Sequence, residues 1–527
     1  MLARCGSGAL VGLEAVAISV EVAIAPGLPG LAVVGLADAA VQEARERVRA
    51  ALRHAGLKVP LTRVVVNLAP GHLRKEGPSF DLPIALGLLL ASGQLPPASL
   101  EGVWSLGELG LDGRLRPVRG VLPVALAARA AGARALLVPT ANGAEAALVD
   151  GLAIWPAEHL AGAVALLRGE LPAPARPAAP AAAAARPQRA ADLADLRGQI
   201  HGRRALEIAA AGGHHLLLVG PPGSGKTMLA QRLAGLLPPL SLAEALEVTA
   251  IQSVAGLLHD GAPLVRQRPF RSPHHSCTAA ALIGGGPIPR PGELALAHRG
   301  VLFLDELAEF RRCVLDQLRQ PLEEGSVWIS RARQRSHFPC RTTLVAATNP
   351  CPCGWHGEPG ATCRCGEAQR RRYWGRLSGP LLDRIDLQVV MRRVSGQELG
   401  AGYRGGDGGR GPEASAAVAA RVRQARGRMA CRNPGGCLNA DLAGAELRQV
   451  LALEAGALEL WEGAVSQRRL SGRGAERLLR VALTLADLAG AARVEAGCIA
   501  EALSYRSFDQ ADQESGDPGR VSHEPAG

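Results

Sequence analysis

The spacing of apolar positions changes several times along the chain. In the first 168 residues, alternating segments such as Val64, Val65, Val66, Asn67 and Leu68 lie beside helically spaced stretches such as Val41 to Ala55. That mixture predicts an α+β unit. Between Asp192 and about Arg393, short unbroken apolar runs (Leu216 to Val219, Val301 to Leu304, Thr343 to Ala347) alternate with helical segments. A strand that is apolar at every position is buried on both faces, so this part predicts a parallel α/β sheet. From Ala414 to Arg506 the chain is rich in Ala, Leu and Arg at helical spacing, which predicts a small helical unit.

Two breaks in composition separate these parts. The Pro/Ala text of 171–190 interrupts any helix and predicts a semi-extended tether, and a Gly-rich run fills 400–411. The expected organisation is an accessory domain over 1–168, a linker over 169–190, an α/β core over 191–395, a linker over 396–413, a helical unit over 414–507 and a frayed tail over 508–527. Apolar stretches such as Leu82 to Ala91 fall short of the roughly 20 residues needed to cross a bilayer. With no secretory signal either, the expected location is the cytoplasm.

Lys and Arg total 59 against 48 Asp and Glu, a formal charge of +11, which favours a polyanionic partner without identifying it. Only Lys58, Lys75 and Lys226 are lysines, so each lysine is worth inspecting. Aromatics make up 3% of the chain, too few for an extended base-stacking platform.

Lys226 ends a glycine loop, Gly220, Pro221, Pro222, Gly223, Ser224, Gly225, Lys226, Thr227, which follows the apolar run Leu216 to Val219 and precedes a helical segment. Strand, glycine loop and helix are the context a P-loop requires: backbone N–H groups turn inward around phosphate and the helix N-terminus adds positive potential. Lys226 is expected to reach the β and γ phosphates of ATP, and Thr227 to hold Mg²⁺. Downstream, Val301 to Leu304 ends in Asp305 and Glu306, two acids that a buried strand tolerates only at its exposed tip. Asp305 is expected to hold Mg²⁺ through its water shell, and Glu306 to orient the attacking water. A third strand ends in Thr348 and Asn349, of which Asn349 is the better candidate to sense the γ phosphate.

Cys351, Cys353, Cys363 and Cys365 form two C-x-C pairs in one 15-residue loop, an arrangement able to make a closed structural zinc site, with His356 as a substitute ligand. The rival reading is four reduced thiols without metal. Arg331, Arg333 and Arg335 recur at period two in a segment expected to form a β-hairpin, which would set three guanidiniums on one face to grip successive phosphates. Charged edge residues that merely keep the hairpin solvated are the rival there. Arg370, Arg371 and Arg372 with Tyr373 and Trp374 form a second basic candidate.

These pieces, in this order, resemble an AAA+ ATPase. The segments 271–276 (RSPHHS), 290–300 (RPGELALAHRG), 349–354 (NPCPCG) and 377–386 (LSGPLLDRID) are similar to the magnesium-chelatase-like YifB/ComM family. The resemblance runs from about Val11 to Arg506. It implies that Arg384 is an arginine finger reaching a neighbour's γ phosphate, and that Arg473 is the nucleotide-contacting arginine of a helical lid, with Arg477 and Arg480 as rivals. A guanidinium is permanently charged and bidentate, which suits a phosphoryl transition state. The resemblance further implies a homo-oligomeric ring, a hexamer, in which the hairpin lines a central channel around DNA. By the same resemblance the activity is helicase-type translocation that drives branch migration during natural transformation and recombination. A remodelling or metal-chelatase-type motor is the alternative.

The first 168 residues resemble the protease domain of Lon, through Glu76, Gly77, Pro78, Ser79 and the later segments 106–109 and 113–120. In that family a lysine activates the serine, and the matching position here is Leu122. A serine without its base is only a hydroxyl, so the expectation is a non-proteolytic accessory domain.

Overall fold

The structure, a computed structural model, describes residues 2–177, 191–258, 263–286, 289–331, 334–396 and 413–506. Most of the expected Pro/Ala linker and Gly-rich linker, Arg333 and the expected tail lie outside the described residues.

Residues 2–157 build a seven-stranded mixed sheet from β1 (Leu2–Val11), β2 (Glu14–Ala25), β3 (Gly30–Val34), β4 (Arg63–Ala69), β5 (Val103–Ser105), β6 (Ala135–Pro139) and β7 (Ala153–Ala157), in the order β3-β4-β2-β1-β5-β6-β7. β1 and β2 pair antiparallel from Leu2 opposite Ala23 to Val11 opposite Glu14, and Gly12 takes φ +67° in the tight turn between them. One core holds α1 (Ala39–His54) and α2 (Asp81–Ala91), the second α3 (Val121–Ala130). α2 is apolar almost all round, with ten of its eleven residues buried, as befits a helix enclosed on every side.

The second sheet is five-stranded and wholly parallel. Its strands are β8 (Leu216–Val219), β9 (Phe270–Arg271), β10 (Val301–Leu304), β13 (Thr343–Thr348) and β14 (Leu387–Val390), in the order β9-β10-β13-β8-β14. Every residue of β8, β10 and β13 is buried, which is why those runs lack polar alternation. The helices α4 (Lys226–Leu236) and α5 (Leu242–Ala255) follow β8. Between β10 and β13 stands an antiparallel hairpin, β11 (Ser326–Arg331) with β12 (Gln334–Pro339).

Among the described residues beyond 413, α6 (Ser415–Arg432), α7 (Gly472–Ala489) and α8 (Ala496–Ser504) carry the helical region. Its apolar faces share one core with the sheet: Leu216, Leu218, Val389, Val422, Leu478 and Ala482 belong to a single cluster. The chain is thus an AAA+ P-loop ATPase core carrying an N-terminal α+β unit and a C-terminal helical lid.

The N-terminal unit docks on the core at two places. Leu246 and Ala250 of α5 pack against the α3 core, and the buried Glu145 carboxylate accepts from the Ser253 hydroxyl and from the Leu122 N–H at 2.8 Å. Across from there, Gly12 meets the hairpin: a Cβ on it would come within 3.3 Å of Ser336 Cβ. No helix among the described residues is long and apolar enough to cross a membrane.

Candidate active site

Because β8, β10 and β13 run parallel, their C-terminal ends bring the expected phosphate-binding residues together. Gly225 takes φ +88° to swing the chain from the loop into α4, and Gly223 takes φ +78°, where an added Cβ would meet nothing within 4 Å. The loop therefore cups open space. Lys226 is buried, and its Nζ donates to the carbonyls of Gly220 at 2.6 Å and Pro221 at 2.9 Å and to Asn349 Oδ1 at 3.2 Å. Burial pushes this ammonium below lysine's ordinary value, while the Asp305 carboxylate acts in the opposite sense. Thr227 Oγ1 donates to Asp305 Oδ2 at 2.8 Å, so the two expected Mg²⁺ holders already touch. The buried Ser224 hydroxyl has no hydrogen-bond partner among the described residues. A cup of backbone, an ammonium and a hydroxyl–carboxylate pair fit a magnesium-bound triphosphate.

Glu306 holds its backbone at φ +51°, in the left-handed region uncommon for a residue with a side chain, directly after the strand tip. Its carboxylate lies 3.0 Å from His275 Nδ1, and His275 stacks against His274 with ring centroids 4.1 Å apart. Sequence reasoning gave His275 no role. It lies four residues beyond β9, and only the pairing of β9 with β10 sets those two strand ends side by side.

Arg384 and Arg473 stand elsewhere. Both line a cleft of about 1310 Å³ together with Gly213, His215, Gly300 and Thr343, residues at or just before the starts of the parallel strands. The four residues of β8 alone span about 13 Å. The two arginines therefore lie at the end of the sheet opposite Lys226. Arg384, with its side chain 12% exposed, pairs with Glu323 at 2.7 Å, and Arg473, 72% exposed, reaches the same Glu323 oxygen at 3.6 Å.

The rivals divide. Arg477 donates to the Arg384 carbonyl at 2.8 Å and to Asp386 Oδ1 at 2.9 Å. Asp386 also meets His214 Nδ1 at 3.0 Å, and His214 Nε2 meets Thr484 of α7 at 2.8 Å. Burial would push the Asp386 carboxyl up, but Arg477 and His214 outweigh it and hold it below the usual carboxylate range. Arg477 is thus committed to a buried ion pair. Arg480 lines the cleft and pairs with Glu476 at 3.6 Å.

The four cysteines converge. Sulfur separations are 3.3 Å for Cys351 to Cys353, 3.7 Å for Cys351 to Cys363 and 3.6 Å for Cys353 to Cys363, and all four sulfurs lie within 4.8 Å of one another. A zinc tetrahedron with Zn–S bonds of about 2.3 Å has edges of about 3.8 Å. Burial pushes the Cys353 thiol up, yet the backbone N–H groups of Trp355 and Arg364 outweigh it and draw the thiol down to about 6. Burial together with the adjoining thiols pushes Cys363 and Cys365 up. Ionising the four together calls for a cation among them. His356 is not part of this four-ligand group. The loop abuts the phosphate loop: a Cβ on Gly354 would come within 2.6 Å of Pro222 Cδ.

In the backbone register of the hairpin Arg331 pairs with Gln334 and Ser330 with Arg335. Arg333 lies outside the described residues, so the expected row of three arginines is not described as a whole. The basic run Arg370 to Trp374 is the greater part of a short helix, Glu367–Trp374, in which Tyr373 is buried against Thr348 and Trp374 Nε1 donates to the Pro350 carbonyl at 3.0 Å. Its aromatics brace the third strand rather than facing solvent.

In the N-terminal unit Leu122 is fully buried among Leu136 and Val138. Lys75 is equally buried, but its ammonium donates to the Pro70 carbonyl, and Lys58 is exposed. Among the described residues no hydrogen bond joins either lysine to Ser79.

A parallel sheet in the order β9-β10-β13-β8-β14, with a P-loop after its fourth strand in that order and two acids at the tip of its second, defines an AAA+ ATPase. The chain belongs to the magnesium-chelatase-like YifB/ComM family. Family models described as magnesium chelatase subunit ChlI match residues 192–399, subunit ChlI of Mg-chelatase residues 20–142, and the ChlI C-terminal region residues 412–506. Competence protein ComM of Haemophilus influenzae is 44% identical over 513 residues, 96% of this chain and 98% of that protein. The Escherichia coli protein YifB is 45% identical over 506 residues, 95% of this chain and 96% of its own length. Lon protease 2 of Thermus thermophilus is 31% identical over 130 residues, covering 23% of this chain and 16% of that protease.

The contact between His275 and Glu306 generates a prediction. Glu306→Gln should bind ATP normally and lose turnover by about 100-fold or more. His275→Ala should lower kcat with an unchanged KM for ATP, and His275→Asn, whose amide can donate where Nδ1–H does, should recover most of it. Steady-state ATPase kinetics read all three; an unaltered kcat in His275→Ala removes the positioning role.

Proposed function

We propose that the protein is a ring-forming, ATP-driven DNA translocase of the ComM type, promoting branch migration of single-stranded or branched DNA during natural transformation and recombination. The observation that carries this reading is that the candidate phosphate-binding residues and the candidate arginine finger stand at opposite ends of one sheet. Lys226, Thr227, Asp305, Glu306 and Asn349 gather at one end, and Arg384 stands at the other. An arginine so placed serves phosphate only when a second copy presents its own P-loop, and repeating that head-to-tail contact closes a ring, most simply a hexamer. Arg473 shares Glu323 with Arg384, so it is proposed to reach the same neighbouring nucleotide rather than that of its own chain.

In this mechanism Lys226 exchanges the carbonyls of Gly220 and Pro221 for the β and γ phosphates. The N–H groups of Gly223, Ser224 and Gly225, between Pro222 and the start of α4, cradle the same oxygens, Ser224 giving up its bond to the Pro221 carbonyl, while the Gly220 N–H stays on the Thr348 carbonyl. Thr227 and Asp305 would hold Mg²⁺, which would supply charge neutralisation to the phosphoryl oxygens. Glu306 accepts from the attacking water, Asn349 reports on the γ phosphate through its bond to Lys226, and Arg384 of the adjoining copy stabilises the transition state. DNA as substrate is supported by the net charge of +11, by the cationic hairpin and by the relative named a competence protein. The candidate contacts remain Arg331, Arg333 and Arg335. Proteolysis is disfavoured, because Leu122 fills the position of the base and Ser79 has no lysine partner.

We further propose that Cys351, Cys353, Cys363 and Cys365 hold one structural Zn²⁺ that stiffens the loop behind Pro222. Elemental analysis should find about one zinc per chain. Chelation should weaken ATP binding through the Gly354–Pro222 contact; purified protein without zinc contradicts the site, and unchanged ATP affinity after chelation contradicts the coupling.

ATP turnover should rise on adding single-stranded or four-way DNA and lose that rise as salt increases, since phosphate contacts release counterions. Indifference to every DNA would favour a remodelling or chelatase-type motor. Arg384→Ala should bind ATP but not hydrolyse it. Mixing it with the equally inactive Glu306→Gln chain should restore part of the activity, because some interfaces then combine an intact Glu306 with an intact Arg384. No recovery on mixing removes the intersubunit site.

A further inference from the structure

Trp328 is the exposed member of the chain's six tryptophans, all of them among the described residues. Alternation within β11 explains why. Val327 and Ile329 point into the core with Phe338 from β12, so Trp328 and Ser330 must point away from it. On this outer face the cross-strand partner of Trp328 is His337, with ring centroids 4.5 Å apart, and the diagonal neighbour is Arg335, whose guanidinium sits 4.2 Å from the indole centroid. Even with both neighbours in contact the indole remains 50% exposed, because Ser330 is too small to cover it.

A cross-strand pair of this kind stabilises a hairpin by about 0.2–1 kcal/mol, which explains the contact with His337 but not the uncovered indole. The outer face also carries no aliphatic side chain from Trp328 to Ser330 or from Arg335 to His337, so the indole is bordered by a cation and polar groups, the setting of a site for an anionic, ring-bearing partner. The Arg335 guanidinium lies over the ring and the His337 imidazole tilts against it, and the half-exposed indole offers the π surface that these two leave uncovered. That combination matches a flat heteroaromatic ring attached to a phosphate. The support beneath is rigid: the inner face is buried and the Gly12 turn packs on Ser336, so little ordering entropy is lost on contact.

We propose that the outer face of the hairpin, centred on Trp328 and flanked by Arg335 and His337, is a stacking site for an unpaired nucleobase of single-stranded DNA. This rests on the DNA reading above and adds to it the mode of grip: one base stacks on Trp328 in each chain, and Arg335 holds the adjoining phosphate. The site senses whether a strand is unpaired, because a base within a duplex has no free face to give.

The experiment compares a fluorescently labelled oligo-dT with the same oligomer made abasic over its central stretch. Binding is followed by anisotropy in a non-hydrolysable ATP analogue at several salt concentrations. The wild-type chain should prefer oligo-dT. Trp328→Ala should weaken oligo-dT binding roughly 5- to 100-fold, leave the abasic affinity and the salt slope unchanged, and so erase the preference. Trp328→Phe should keep part of it, and Arg335→Ala should lower the salt slope by about one phosphate contact. DNA-free ATPase activity, to which Trp328 does not contribute, should be unchanged in Trp328→Ala and reports that the chain is folded. If Trp328→Ala binds both oligomers as the wild type does, or loses affinity for both equally, the stacking site is overturned while the DNA reading stands. If the wild type binds no DNA of any form, the DNA reading itself fails and the stacking site with it.

Discussion

Strand direction in the five-stranded sheet is the constraint from which the rest follows. All five strands run the same way, so every loop that follows a strand opens at one end and every segment that precedes a strand lies at the other. Polar groups cannot be buried mid-strand without partners, so they collect at the two rims. One rim acquires the ammonium, the hydroxyl–carboxylate pair and the asparagine; the other acquires the arginines and Glu323. No side-chain adjustment within one copy can merge two rims separated by fully buried apolar strands.

The insertions on this frame are each held by packing rather than by loop chemistry alone. The cysteine loop leans on Pro222 through a glycine that leaves no room for a side chain. The hairpin buries one face in the core and is backed by the Gly12 turn of the N-terminal sheet. That sheet is docked again at the far end of α5 through Glu145 and Ser253. The N-terminal unit therefore bears on two elements of the motor, although its own serine lacks a base.

What the sequence made legible was whatever depends on neighbours along the chain. The P-loop announces itself because glycines, lysine and threonine must sit between an apolar run and a helix. Asp305 and Glu306 stand out because acids end an otherwise apolar strand. The cysteine quartet is visible because its ligands are separated by only a few residues. The features that escaped depend on register and on packing between distant segments. His275 meets Glu306 only through the pairing of β9 with β10. The hairpin partners are equally hidden: that Trp328 faces His337 across the strands follows from register, not from spacing. Trp328 carries no periodic signal beyond that of its strand. The position of Arg473 follows from how the lid helices share a core with Leu216 and Val389, which no local pattern encodes.

The pair of hydrogen bonds made by Arg477 has a mechanical meaning. Its guanidinium, rooted in α7, grips both the carbonyl of Arg384 and the carboxylate of Asp386, and His214 closes the circuit back to Thr484 on the same helix. Tearing one partner from such an enclosed charge pair costs about 3–5 kcal/mol. A tilt of the lid therefore drags the Arg384-bearing segment with it, and the angle of the lid and the position of that guanidinium become a single coordinate.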